Sequence, residues 1–365
     1  MLSLFGSKKL KAFGLDVSDQ SIKVMQLDQH GSSLLPRAFT QTSMPDNVIA
    51  NHQISNQDRL AEHIMRAVTA ARNINTKYVV VSVPETKSFV RIISIPKMPV
   101  SEIDGAIPWE LEQDIPVPID QVYTDWQILG ERDEKYDVLV TATPKDYIDA
   151  MVDTLKLAGL KPVALELESQ ATARALISKE DNKDAVLILD MSAQLTSFIV
   201  VINGGALEYT SSIPIAGNAF TESIARTLGV SNGEADKIKK ESGLLTDSKK
   251  GNVRQAMIPI LDNIVDEIKN VIRFHEEHSW TDQKINKVLL CGGTSRLNGI
   301  ADYVSARLNL GSGRPIGHIG LGDPWINLIS SEEDRKAIPI TPDDSLSYTT
   351  AVGLALRGAN FDMLQ

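Results

Sequence analysis

An α/β protein built of two related halves with an insertion is what the 365-residue sequence predicts. Three observations carry that reading. Apolar runs of strand length alternate with segments of helical period. A short motif, Asp-x-Ser-x-Gln, recurs at Asp16–Gln20 and Asp190–Gln194, each time closing one apolar strand and opening another. A third apolar strand, Val288–Cys291, runs straight into Gly292-Gly293.

The elements follow in order. Ala12–Val17, Ile22–Leu27 and Leu34–Thr40 are strands joined by polar turns. A polar stretch, Ser43–Gln57, precedes an amphipathic helix through Leu60, Ile64, Ala67, Val68 and Ala71. Tyr78–Val83 and Phe89–Ile95 are β-branched runs bounded by Pro84 and Pro96. Ser101 is placed as the N-cap of a helix with early acids, which kinks or restarts at Pro108. Ile115–Ile119, with two prolines, is an extended connector, and Val122–Leu129 and Tyr136–Thr143 are strands. Asp146–Ala158 is a helix closed by Gly159, followed by a strand at Pro162–Leu167, a short helix at Gln170–Ile177 and a polar turn, Ser178–Asp184. The opening pattern then repeats: strands Ala185–Asp190, Thr196–Ile202 and Ala206–Ser212, and a helix Asn218–Leu228. Val230–Ser279 is mostly helical with a turn at Gly251-Asn252. A helix starts near Asn298–Gly299, Gly311–Pro342 is loop with short pieces, and Thr349–Arg357 is the final helix.

The balance of 37 basic to 47 acidic residues argues against a general nucleic-acid binder. The single cysteine, Cys291, cannot form an intrachain disulfide and fits a reducing compartment. No apolar run reaches the roughly 18 residues of a membrane span, and the start of the chain lacks a signal-peptide core. A soluble cytosolic protein of about two domains is expected.

Two related halves imply a ligand in a cleft between them. Turn N–H groups between paired strands form anion-binding concavities, and serine or glutamine side chains add donors. An aspartate beside a phosphate serves best by holding Mg²⁺, so Asp16 and Asp190 are the metal candidates. Gly292 and Gly293 allow close approach of backbone to a ligand. A strand-end turn that merely hydrogen-bonds itself is the plain alternative for each motif.

These residues carry a resemblance. The order of two phosphate hairpins and a glycine-rich turn resembles the actin, heat-shock chaperone and sugar kinase superfamily. More narrowly, Phe13–Ser18, Ile107–Pro118 with its Pro-Trp-Glu-Leu-Glu and Pro-x-Pro segments, Ala158–Glu166 and Leu290–Ile300 resemble the PilM family of type IV pilus assembly proteins, over nearly the whole chain. The resemblance implies an actin-like, ribonuclease H-like two-lobed ATPase fold. Residues 1–41, 144–184 and 343–365 would form one lobe and 185–342 the other, with a helical part near 230–280. Residues 42–143 would be the inserted α+β subdomain shared with the cell-division protein FtsA.

It also implies ATP and Mg²⁺ as ligands. Ser18, Gln20, Ser21 and Lys23 would serve the first hairpin, and Ser192, Gln194 and Thr196 the second. Gly217 would lie near the phosphates, Asp236 and Lys239 would grip ribose, and Gly292, Gly293, Thr294 and Arg296 would form the adenosine turn. Glu168 would orient the attacking water, although a helix-start acid or an ordinary helix pair explains Glu168 and Asp236–Lys239 equally well. The family pattern has glycine where Ser18 and Ser192 stand, so at most slow hydrolysis is expected. A PilN-like inner-membrane tail is the implied partner, in a groove beside the insertion, at the cytoplasmic face of the inner membrane. Other pilus machinery, including a motor ATPase, and self-association follow from the same resemblance. A sugar-kinase-like or FtsA-like ATPase, or a scaffold that has lost nucleotide binding, are the alternatives.

Weaker signals remain. His275 and His278 are read as exposed helix residues without a third metal ligand, and Cys291 as a packed small side chain. Leu2, Leu4 and Phe5 followed by Lys8, Lys9 and Lys11 would give weak contact with an anionic membrane. The C-terminal residues lack the basic amphipathic helix of the FtsA relative.

Overall fold

The computed structural model describes residues 11–45, 47–50, 53–112, 115–178, 181, 183–244, 251–309 and 315–359. The chain forms two compact units, one of Met1–Ala175 with Leu328–Pro339 and Thr350–Gln365, the other of Leu176–Asn327 with Ile340–Thr349. Residues 42–143 therefore pack within the first unit, and 340–349 belong to the second.

In the first unit β1 (Phe13–Val17), β2 (Ser21–His30) and β3 (Ser33–Ser43) form an antiparallel meander. Every residue of β1 is buried, as in a central strand covered on both faces. The polar stretch that follows holds a tiny hairpin, β4 (Ile49–Ala50) with β5 (Gln53–Ile54). Asn56 then caps α1 (Gln57–Ala70) by accepting the Arg59 N–H, and α1 buries Leu60, Ala61, Ile64 and Ala67. β6 (Tyr78–Val83) returns parallel to β1.

A separate three-stranded sheet follows, from β7 (Phe89–Pro96), β8 (Val122–Arg132) and β9 (Lys135–Pro144), with β9 central. Across it lies α2 (Ile103–Leu111), which buries Ile103, Ile107 and Leu111 against Ile93, Ile95, Val138 and Val140. Two expectations are corrected here. Ser101 does not cap α2; it sits in a 3₁₀ turn, Val100–Glu102, and no side chain caps the helix. Pro108 does not restart it, for the helix runs through all nine residues. The carbonyl that a proline deprives of its partner is that of Asp104, an exposed residue open to water. From β9 the chain enters α3 (Lys145–Leu157), then β10 (Lys161–Leu167), parallel to β6, and α4 (Glu168–Leu176). The sheet order is β10-β6-β1-β2-β3.

The second unit repeats that topology. β11 (Ala185–Met191), β12 (Thr196–Ile202) and β13 (Ala206–Ile213) are a meander, followed by α5 (Gly217–Leu228), α6 (Asn232–Ser242) and α7 (Gly251–His278). β14 (Ile285–Cys291) joins parallel to β11, and after α8 (Ile300–Asn309) β15 (His318–Leu321) joins parallel to β14. The order β13-β12-β11-β14-β15 is again a meander flanked by two parallel strands. Gly251-Asn252 opens α7 instead of forming a turn, and β15 is a strand in a segment expected to be mainly loop.

α9 (Glu332–Lys336), α10 (Pro342–Ser345) and α11 (Thr349–Ala359) complete the chain. α11 lies so close to α4 that a Cβ on Gly353 would meet the Ala171 carbonyl oxygen at 1.8 Å. No helix among the described residues is long and apolar enough to cross a membrane. The tail carrying Leu2 to Lys9 and residues 360–365 lie outside the described residues.

Candidate nucleotide and partner sites

In the first unit the parallel strands β1, β6 and β10 end together, in register through Leu15, Val81 and Leu165, so the residues after Val17, Val83 and Leu167 emerge along one sheet edge. Ligands of open α/β sheets bind at such carboxyl ends. Asp16, 4% exposed, accepts from Lys23 Nζ at 2.9 Å and from Ser82 Oγ at 3.1 Å. Lys23 stands opposite Asp16 in the β1–β2 register, which is why the pair forms. Ser82, which also accepts the Val17 N–H, is a site residue sequence reasoning missed; a lone serine in the apolar run Tyr78–Val83 was its signal.

The hairpin turn is closed by its own serine. Ser18 Oγ donates to the Ser21 carbonyl at 3.1 Å and accepts the Ser21 N–H at 3.2 Å, while Ser21 Oγ lies 3.4 Å away. Gln20 is exposed, and its carbonyl accepts the Met44 N–H. Glu168, the first residue of α4, is half-buried at the same edge. Tyr147 in the first turn of α3 belongs there too: burial, with the charges of Glu168 and Asp19, pushes its hydroxyl far above the ordinary tyrosine value.

In the second unit the matching turn gathers most of the residues expected there. Ser192 Oγ donates to the Leu195 carbonyl at 2.9 Å and accepts the N–H groups of Leu195 and Gln194 at 3.0 and 3.3 Å. Thr294 Oγ1 donates to the Ser192 carbonyl at 2.6 Å, and Gly217 N–H donates to the same carbonyl at 3.3 Å. Gly217 must lack a side chain, since a Cβ would sit 2.6 Å from Thr294 Oγ1. Gly292, at φ +83°, would place a Cβ 2.4 Å from the carboxylate of Asp190, which is half-buried. Gly293 has open space where its Cβ would lie.

Other expected residues are turned inward. Thr196 is fully buried and donates to the Ile215 carbonyl at 2.7 Å. Lys239, 8% exposed, donates to the Gly217 carbonyl at 3.0 Å and to Thr221 Oγ1 at 2.6 Å, and pairs with Asp236 at 2.9 Å. Burial works against the charge of Asp236, but Lys240 and Lys239 outweigh it and hold its carboxyl below the usual range. Arg296 leaves the cluster for Asp344, 2.5 Å away. The turn Gly293–Arg296 is 3₁₀, so α8 begins at Ile300.

A cavity of about 710 Å³ opens in the first unit, lined among others by Ile54, Lys87, Val117, Asp120, Lys145 and Tyr147. Its walls come from residues between 53 and 121 and from the start of α3.

Over residues 14–359 the chain matches the family described as type IV pilus assembly protein PilM. It belongs to that family. Among solved structures it resembles a chain of a PilM-PilN type IV pilus biogenesis complex, with TM-score 0.80 and 24% identity over 96% of this chain and 99% of that one. MreB5 of Spiroplasma citri bound to ADP matches at TM-score 0.54 and 11% identity, over 90% of this chain and 95% of that one. At such identities these likenesses show the fold alone, and the fold is that of actin-like ATPases. Cell division protein FtsA of Bacillus subtilis is 24% identical over 74% of this chain and 59% of its own length. FtsA of Pseudomonas aeruginosa is 24% identical over 56% of this chain and 49% of its own length, so the chain spans only about half of these relatives.

For a PilM-family chain the fit of a phosphate can be judged from the second turn itself. Two backbone amides there converge on one oxygen, that of Ser192, so the turn already holds an oxygen atom as a phosphate would require. Magnesium takes one or two carboxylates and completes its shell with water and phosphate, which the half-buried Asp190 suits. Asp16 is matched to Lys23 instead.

His275 corrects a further expectation. It is 2% exposed, with Nδ1 at 2.5 Å from Glu208 Oε2 and Nε2 at 2.7 Å from the Gln283 carbonyl. His278 is exposed as expected.

Proposed function

We propose that this chain is a nucleotide-responsive scaffold of a type IV pilus or related secretion machine, working at the cytoplasmic face of the inner membrane. The cavity of about 710 Å³ takes the short tail of a PilN-like inner-membrane protein. The observation that carries this reading is the cavity's place, between residues of the 53–121 stretch and the start of α3. Its apolar wall, Ile54, Val117 and Tyr147, suits apolar side chains of an extended segment, while Lys87, Lys145 and Asp120 orient it by charge. The likeness to the PilM-PilN chain supports the assignment. Contacts with a motor ATPase and with further copies belong to the same reading.

ATP with Mg²⁺ is the proposed ligand, and each unit is taken by itself. In the second unit Asp190 would hold the metal's water shell, the Ser192 turn amides the phosphates, and Gly292-Gly293 the adenosine side; in the first, the Ser18 turn and Lys23 suit a phosphate. Bound nucleotide supplies concentrated negative charge. Glu168 would accept a hydrogen bond from the attacking water, in a slow hydrolysis at most. Tyr147 lines the cavity and feels Asp19 and Glu168, so tail and nucleotide act on one side chain.

Fluorescence anisotropy of labelled tails from bitopic pilus proteins, with the full chain, tests the scaffold. Tyr147→Ala is expected to weaken tail binding at least tenfold. Retention of no tail, or binding indifferent to both Tyr147→Ala and Lys145→Glu, overturns it. The inward bonds of Lys23 and Lys239 favour a second reading, a scaffold without nucleotide. A melting temperature unchanged across millimolar MgATP decides for that one.

A further inference from the structure

We infer that the hydroxyls of Ser18 and Ser192 are built-in occupants of the two turn anion sites, latches that a phosphate oxygen must displace; this rests on the reading of the hairpins as phosphate-binding elements. A serine hydroxyl has one donor and two acceptor positions. Ser192 fills all three within its turn, donating to the Leu195 carbonyl and accepting from Gln194 and Leu195. Ser18 fills two in the same manner, both on the Ser21 backbone, with Ser21 Oγ a further neighbour at 3.4 Å. The amides that would meet a phosphate are thus satisfied by the chain itself.

Neither serine is among the residues with positive φ, so the backbone does not need glycine at either place. The obstacle to phosphate is the hydroxyl, and a hydroxyl can rotate away. Displacing it exchanges the hydrogen bonds of one oxygen for those of another, which lowers affinity without abolishing it.

The two latches are unequal. Ser192 covers two amides and Ser18 one. The residue after Ser192 is the uncharged Ala193, whereas Asp19 follows Ser18 and repels an anion. The second hairpin is the better phosphate site, and its latch has more to release.

The test is isothermal titration of MgATP into the full chain, into Ser18→Ala, Ser192→Ala and the double variant, and into Ser192→Thr, which keeps a hydroxyl. Each freed amide bond is a net effect of modest size, so Ser192→Ala is expected to bind about 5–10-fold more tightly. Ser18→Ala should gain less, and Ser192→Thr should match the parent. Nucleotide-free Ser192→Ala should melt slightly lower, while its rise in melting temperature with MgATP should exceed the parent's. A parent that binds MgATP and a Ser192→Ala variant that binds it no better overturn the latch alone. Folded parent and variants that all fail to bind overturn the nucleotide reading beneath it.

Discussion

His275 makes the stability of this protein depend on pH in a direction the structure fixes. The ring lies between two oxygens, one of the Glu208 carboxyl and the Gln283 carbonyl, an arrangement that favours a ring with protons on both nitrogens. Burial disfavours that charge, but the Glu208 hydrogen bond and charge outweigh it and raise the histidine above its ordinary value of 6.5. A group bound more tightly to its proton in the folded state adds stability that is complete below the unfolded value. That stability is lost as pH climbs through the raised folded value. Each tenfold gain in proton affinity is about 1.4 kcal/mol. The side chains of His275 and Glu208 are only 1% and 7% exposed, so little is screened by water. Urea unfolding of the full chain should therefore show a midpoint that falls as pH is raised above the ordinary histidine value of 6.5. His275→Leu should remove the slope and cost about 3–5 kcal/mol, because a buried pair loses one partner and the Glu208 carboxyl keeps only the Ser279 hydroxyl among the bonds described. Adding Glu208→Leu should recover most of that loss. Equal midpoints below and above that ordinary value in the parent, or a His275→Leu loss within about 0.5 kcal/mol, would refute the reasoning.

Two other outcomes follow from close packing and buried charge. Gly353→Ala should destabilise the protein by about 3 kcal/mol or more in urea unfolding, because its Cβ would overlap the Ala171 carbonyl and α11 must shift from α4; a loss under about 1 kcal/mol would show the helices free to part. Lys239→Met keeps the aliphatic stem but removes bonds to Gly217, Thr221 and Asp236, at a cost of about 1–3 kcal/mol. A Lys239→Met protein of parental stability whose MgATP affinity has collapsed would show that the lysine reaches for ligand instead.

Most of the fold was legible because strand and helix periods are local signals. The repeated meander could be found from apolar alternation and the two Asp-x-Ser-x-Gln turns alone. What escaped was short or long-range. β4 and β5 have two residues each and β15 four, too few to show a period, and they exist because a neighbouring strand pairs with them. His275 was misread although its spacing spoke: Ile264, Ile268 and Val271 on α7 are buried, and 275 is the next position on that stripe. Lys239 lies likewise between buried Ala235 and Ser242 on α6. A polar residue on an apolar stripe signals a partner from elsewhere in the fold, here Glu208 and the start of α5.

The candidate site shows the same division between spacing and side-chain commitment. Spacing brought Asp190, Ser192, Gly217, Gly292 and Thr294 together, since turn and strand positions follow from topology. It did not show which hydrogen bonds those side chains already make. Thr196, Lys239 and both serines spend their polar atoms on the chain itself, and Asp16 is matched to Lys23. Groups that would bind a nucleotide are therefore the groups that hold the hairpins closed without one. Affinity for ligand is then the difference between two sets of similar bonds, each worth about 1 kcal/mol net. Such a difference is small, and in the proposed reading a tail that moves Tyr147 would act beside Asp19 and Glu168, on the edge where one of those two sets would form.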